Sequence, residues 1–165
     1  MYARILVPVD GSDTSTLGLN EAIKIAAAQG SQLRLVHVVN EYVLDCTYSA
    51  GVYATSLIES LRKQGQNILD LAEAAALRQG LKPQCVLLES IGGRAADLIL
   101  AQAKEWPADL IVMGTHGRRG LARIALGSDA ETVVHGASVP VLVVRKKPQT
   151  TGAVPESTSV EAFAA

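Results

Sequence analysis

Apolar residues along this chain follow two alternating rhythms. Short, nearly unbroken apolar runs occur at "ARILVPVD" (3–10), "QLRLVHVV" (32–39), "PQCVLLES" (83–90), "ADLIVMGT" (108–115) and "PVLVVR" (140–145). Between them lie longer stretches in which apolar residues recur every three or four positions. The short runs predict strands and the spaced stretches predict helices. The first helix places Leu19, Ala22, Ile23 and Ala26 inward, with Ser12 or Asp13 able to cap its start and Gly30 suited to the position past its end. The second is expected over about 55–78, with Leu61, Ile68, Ala72 and Ala75 on one face and Gly80 as its stop. Gly65 weakens its middle by about 1 kcal/mol relative to alanine. The third covers 93–105 with Ala96, Ile99, Leu100 and Ala103 inward. The fourth begins near Ser128 and buries Ala130, Val133, Val134 and Ala137.

Strands that are apolar throughout, rather than alternating, are expected of a parallel sheet covered on both faces. Regular alternation of strand and helix points the same way. The predicted fold class is therefore a doubly wound α/β sandwich. Beyond Arg145 the period vanishes. "KKPQTTGAVPESTSVEAFAA" is rich in Pro, Thr, Ser and Ala, so 147–165 is expected to be a disordered tail after a folded region of 1–146.

Composition narrows the function classes. The chain has 165 residues, 48% of them apolar but only 4% aromatic, which suits one domain with an aliphatic core. Lys plus Arg number 15 against 16 for Asp plus Glu, a net charge of -1. That balance argues against a protein built to coat nucleic acid or an anionic membrane. The amino-terminal apolar stretch is too short for a signal peptide, and no run approaches a membrane span. Cys46 and Cys85 do not make a disulfide scaffold, and Cys85 reads as a small core residue. A cytoplasmic location is the expectation.

In such sheets a ligand sits beyond the carboxyl ends of the strands, where strand order reverses. With the first strand central, flanked by the second and the fourth, the crevice opens between Asp10 and Gly114. "GTHGRRGLARIALGS" (114–128) follows the fourth strand and is rich in glycine and arginine. Glycines let backbone N–H groups approach a ligand closely, and such groups beside a helix N-terminus attract phosphate. Ser128 adds a hydroxyl at the positive end of the fourth helix. A carboxylate at Asp10 would be repelled by phosphate but accepts well from ribose hydroxyls. Phosphate loop plus carboxylate is what a nucleotide requires, although neither a P-loop nor a GxGxxG after the first strand is present. Glycines after a strand also serve simply as turns, and Ser128 with Glu131 makes a capping box that needs no ligand.

The spacing Gly114-x2-Gly117-x9-Gly127-Ser128 resembles the ATP-binding signature of the universal stress protein family. "ILVPVDGS", "LVHVV", "ADLIVMGTHG" and "PVLVVR" resemble that family in the same order, over residues 1 to about 146. The resemblance implies a five-stranded parallel sheet of order 3-2-1-4-5 with two helices on each side. It also implies membership of the ATP-binding subclass, since every position of the signature is kept. By position, Asp10 would hold the ribose, Pro8, Val9 and Val38 would line the adenine pocket, and Met113 would lie near the adenosine. Gly114, Gly117, Gly127 and Ser128 would cradle the phosphates. His116 would donate to a phosphate or pin the loop. Arg118, Arg119 and Arg123 would screen phosphate charge or point to solvent.

His37 and His135 read as structural. The loop 40–54 is long and carries Tyr42, Tyr48 and Tyr53, either as a lid over the nucleotide or as anchors of a surface loop. Three functions remain open: a regulatory module governed by ATP occupancy, a slow ATP-hydrolysing enzyme, and a nucleotide-free dimer acting through a protein partner. The first is preferred, because there is no P-loop lysine and no second carboxylate placed for Mg²⁺, which would then ride on the phosphates. "VLVV" (141–144) is an apolar edge in the inferred order, and both that exposure and the resemblance imply a homodimer through residues 141–145.

Overall fold

A computed structural model describes residues 1–40, 51–90, 92–115 and 126–146. The elements follow one another as β1 (Arg4–Pro8), α1 (Asp13–Gln29), β2 (Gln32–Asn40), α2 (Gly51–Leu77), β3 (Gln84–Ser90), α3 (Ala95–Glu105), β4 (Leu110–Gly114), α4 (Ser128–Gly136) and β5 (Val141–Val144). All strand pairings are parallel, in the order β3-β2-β1-β4-β5. This is the doubly wound α/β sheet expected from the sequence. The tail, 147–165, lies outside the described residues, as do Tyr42, Cys46 and Tyr48 of the 40–54 segment. Among the described residues no helix is long and apolar enough to cross a membrane.

Each strand sends alternate side chains to opposite faces. Ile5 and Val7 of β1, Leu33 and Leu35 of β2, and Leu110 and Val112 of β4 meet α1 and α2 in one core. Leu6, Val36, Ile111 and Met113 meet α3 and α4 in the other. Both faces are covered, so the strands can be apolar at every position.

The ends of α1 are as the sequence predicts. Ser12 is the N-cap, its side chain accepting from the Ser15 N–H, and Asp13 places negative charge in the first turn. Gly30 terminates the helix at φ 69°, the left-handed conformation that costs glycine least.

Three expectations need correction. First, α2 begins at Gly51 rather than near 55, so Tyr53 belongs to the helix and the connection before it is shorter than supposed. Second, its buried stripe is Gly65, Leu69, Ala72 and Ala76, while Leu61, Ile68 and Ala75 lie at the margin. Gly65 is the point of closest approach to the sheet. A Cβ there would stand 2.7 Å from His37 Cδ2 and 2.8 Å from Leu87 Cδ1. The glycine that weakens the isolated helix therefore permits its docking. Third, α4 buries Ala130 and Val133, but Val134 is 42% exposed. Ser128 does not cap this helix either: Gly127 is the N-cap and Ser128 the first helical residue, so no 128–131 capping box forms.

Cys85 packs half-buried on β3 against the α1–α2 core. Burial first, then the charges of Glu73 and Asp70, pushes its thiol up to about 11. That keeps it protonated and inert near neutrality.

Candidate functional site

The first turn of α1 joins the carboxyl ends of β1 and β4. Gly114, the last residue of β4, is buried so tightly against it that a Cβ would lie 2.5 Å from the Thr14 carbonyl carbon and 2.7 Å from the Ser15 nitrogen. Gly18 completes the contact, its hypothetical Cβ lying 3.0 Å from the Met113 carbonyl carbon. Gly114 therefore has a packing requirement of its own, independent of any ligand.

Asp10 follows β1 on the same rim. Its N–H donates to Ser15 Oγ at 3.1 Å, and its Oδ1 accepts from the Ser12 N–H at 2.9 Å. Gly11 then turns the chain at φ 78°, against Ile68 of α2. The carboxylate is half-buried and held by its own turn.

The other wall is built from β4 and α4. The buried Thr115 donates its N–H to the Val144 carbonyl, and its own carbonyl accepts from the Gly127 N–H at 2.8 Å. That bond brings the start of α4 back to the end of β4 and leaves the exposed Ser128 at the helix's positive end. Pro8 and Val38 are half-buried, and Val38 packs with the buried Met113 in the α3–α4 core. These three lie at the carboxyl ends of neighbouring strands. His116, Gly117, Arg118, Arg119 and Arg123 lie outside the described residues.

Val9 follows Pro8 on the same rim. Its side chain is buried in the α1–α2 core. Its N–H donates to the Val36 carbonyl at 2.8 Å, and its carbonyl lies 2.6 Å from His37 Nδ1. Val9 thus braces the rim from behind. An open groove of about 530 Å³ runs from Ser128 between α3 and α4, lined also by Arg94, Leu100, Glu131, Thr132 and His135. His135 itself is exposed and bonds the Glu131 carbonyl within its helix.

Sequence reasoning did not identify Ser15 or His37 as part of this rim. Ser15 gave a faint signal, being a polar residue at an inward helical position.

Residues 1–145 match the family model "Usp: Universal stress protein family". The universal stress protein MJ0531 of Methanocaldococcus jannaschii is 37% identical over 150 residues, covering 88% of this chain and 84% of that protein. Among solved structures, that of the hypothetical protein MJ0577 superposes with a TM-score of 0.79 at 27% identity, covering 90% of this chain and 99% of the other. A universal stress protein crystallised in complex with cAMP matches with a TM-score of 0.64 at 27% identity, covering 87% and 97%. With the strand order, the two-sided packing and the Asp10 rim in place, these matches agree across the folded region, and the chain belongs to the universal stress protein family.

Proposed function

We propose that this protein binds ATP in the crevice between Asp10 and the start of α4 and acts as a regulatory module whose output follows nucleotide occupancy. One observation carries the reading: a carboxylate and a helix N-terminus stand on adjacent strand ends, β1 and β4, where the strand order reverses. The cAMP complex of a family member supports an adenine nucleotide as the ligand class. In this reading Asp10 accepts from the ribose hydroxyls, and Pro8, Val38 and Met113 border the adenosine. Gly117 and Ser128 meet the phosphates, with Gly127 holding the start of α4 beside them through its bond to Thr115, and His116 and Arg118 flank them. Gly114 allows the wall to close on α1, and Val9 braces it. Any Mg²⁺ is carried by the phosphates.

Calorimetric titration with ATP, ADP and AMP tests the reading. Binding of at least one is expected, and no binding at millimolar concentration refutes it. Gly117→Asp is expected to abolish binding in a folded protein, because the new carboxylate occupies phosphate space and repels its charge. Wild-type affinity in that variant would move the site elsewhere.

The protein is further proposed to form a homodimer through β5. That strand ends the sheet order, and Leu142 within it is 37% exposed. An open apolar edge is relieved by pairing with a second copy about a two-fold axis. Light scattering should return twice the chain mass, and Val143→Pro should shift it toward monomer or aggregate. A stable monomer of the unmodified protein excludes this arrangement.

A further inference from the structure

His37 stands in an apolar strand and is 6% exposed. A buried imidazole is costly unless its hydrogen bonds are made. Its Nδ1 lies 2.6 Å from the Val9 carbonyl oxygen. A carbonyl only accepts, so Nδ1 carries the proton. The N–H of the same peptide unit, that of Asp10, donates to Ser15 Oγ at 3.1 Å. The Val9–Asp10 peptide is therefore gripped from both sides: β2 holds its oxygen and α1 holds its nitrogen. Rotation of that plane would break both bonds. The Asp10 carboxylate hangs from it, with Oδ1 on the Ser12 N–H. The space for the ring is provided by Gly65, where any Cβ would meet His37 Cδ2 at 2.7 Å.

We propose that His37 is a positioning residue for ligand binding, holding the Val9 carbonyl so that the Asp10 carboxylate is aimed at the paired hydroxyls of a ribose. This rests on the assignment of Asp10 to the ribose. His37 touches no ligand; it acts through the Val9–Asp10 peptide. A leucine at 37 fills a similar volume but has no donor for Val9, and the peptide plane is then held only from the Ser15 side. An asparagine brings an amide nitrogen near the position of Nδ1 and restores the grip.

The experiment compares affinities for ATP and 2′,3′-dideoxy-ATP, which lacks both hydroxyls. The wild type should prefer ATP. His37→Leu should reduce that preference roughly tenfold, the scale of one hydrogen bond to a charged group, with little change for the dideoxy compound. His37→Asn should recover most of it. An unchanged preference in folded His37→Leu, or an equal loss for both nucleotides, overturns the positioning role while leaving the nucleotide site intact. No ATP binding by the wild type, or no preference for ATP, overturns the Asp10 assignment and this inference with it. Should His37→Leu fail to fold, ¹⁵N spectra of the unmodified protein decide. The His37 Nδ1–H signal should move on adding ATP and remain near its free position with the dideoxy compound; the same response to both rules the inference out.

Discussion

Asp10 and Asp109 sit at opposite ends of the same pair of neighbouring strands and use their oxygens differently. Asp109 immediately precedes β4. Its Oδ2 accepts from the N–H groups of Ala3 and Arg4 at 2.9 and 2.8 Å, and its own N–H donates to the Arg4 carbonyl. Those bonds join segments more than a hundred residues apart and set where β1 meets β4. Next to them Arg34 lies 4.6 Å over the Trp106 ring and bonds Gln84 and Gln102, so the amino end of the sheet is tied across three elements, β2, β3 and α3. Asp10 instead bonds a backbone group two residues away. A carboxylate that stitches distant strands contributes to the fold. One oriented by its own turn, on the rim where the strand order reverses, is the one the proposed function assigns to the ribose.

That contrast gives two substitutions with opposite signatures. Asp10→Ala should weaken ATP binding on the order of a hundredfold, as expected if a charged acceptor for two hydroxyls is removed, while the melting temperature changes little. Asp109→Ala should leave ATP affinity unaltered but cost about 1–3 kcal/mol, because two strand-end N–H groups lose their acceptor. Calorimetry and thermal unfolding on both variants suffice. Loss of stability in Asp10→Ala without loss of affinity, or the reverse in Asp109→Ala, would break the comparison.

The same contrast explains what was legible in the sequence. The strands were readable because both faces are buried, which leaves continuous apolar runs, and their order placed Asp10 and Gly127–Ser128 on one rim. The face of α2 was misjudged by a single position because "LAEAAAL" offers several small-residue stripes of equal merit. Only the proximity of Gly65 to His37 and Leu87 selects among them. Val134 was misplaced because the short α4 turns Ala130 and Val133 into the core and leaves the next position on its outer side. The grip on the Val9–Asp10 peptide joins β1, β2 and α1, and a contact among three elements has no local pattern. The Gly18–Gly114 contact is of the same kind, since either glycine alone looks like a flaw in its element.

A third carboxylate sharpens the comparison at its weakest end. Glu89 on β3 is held by an arginine side chain, with Arg62 Nε and its neighbouring nitrogen both 2.7 Å from the carboxylate oxygens. The Arg62 hydrogen bond leads in holding its carboxyl below the ordinary 4.5, opposed by desolvation and then aided by the guanidinium charge. A depressed carboxyl contributes stability that is present above its unfolded value and lost as pH falls through the folded one. The side chains are 47% and 37% exposed, so solvent and salt screen the pair heavily. Glu89→Gln should therefore lower the melting temperature only slightly at pH 7. The difference should shrink as the buffer is taken below the usual carboxylate range, and shrink again at pH 7 on adding salt. ATP affinity should not move. A large loss at pH 7, or one that persists unchanged into acid, would mean that Glu89 works like Asp109, as a stitch between elements, rather than as a screened surface partner of α2.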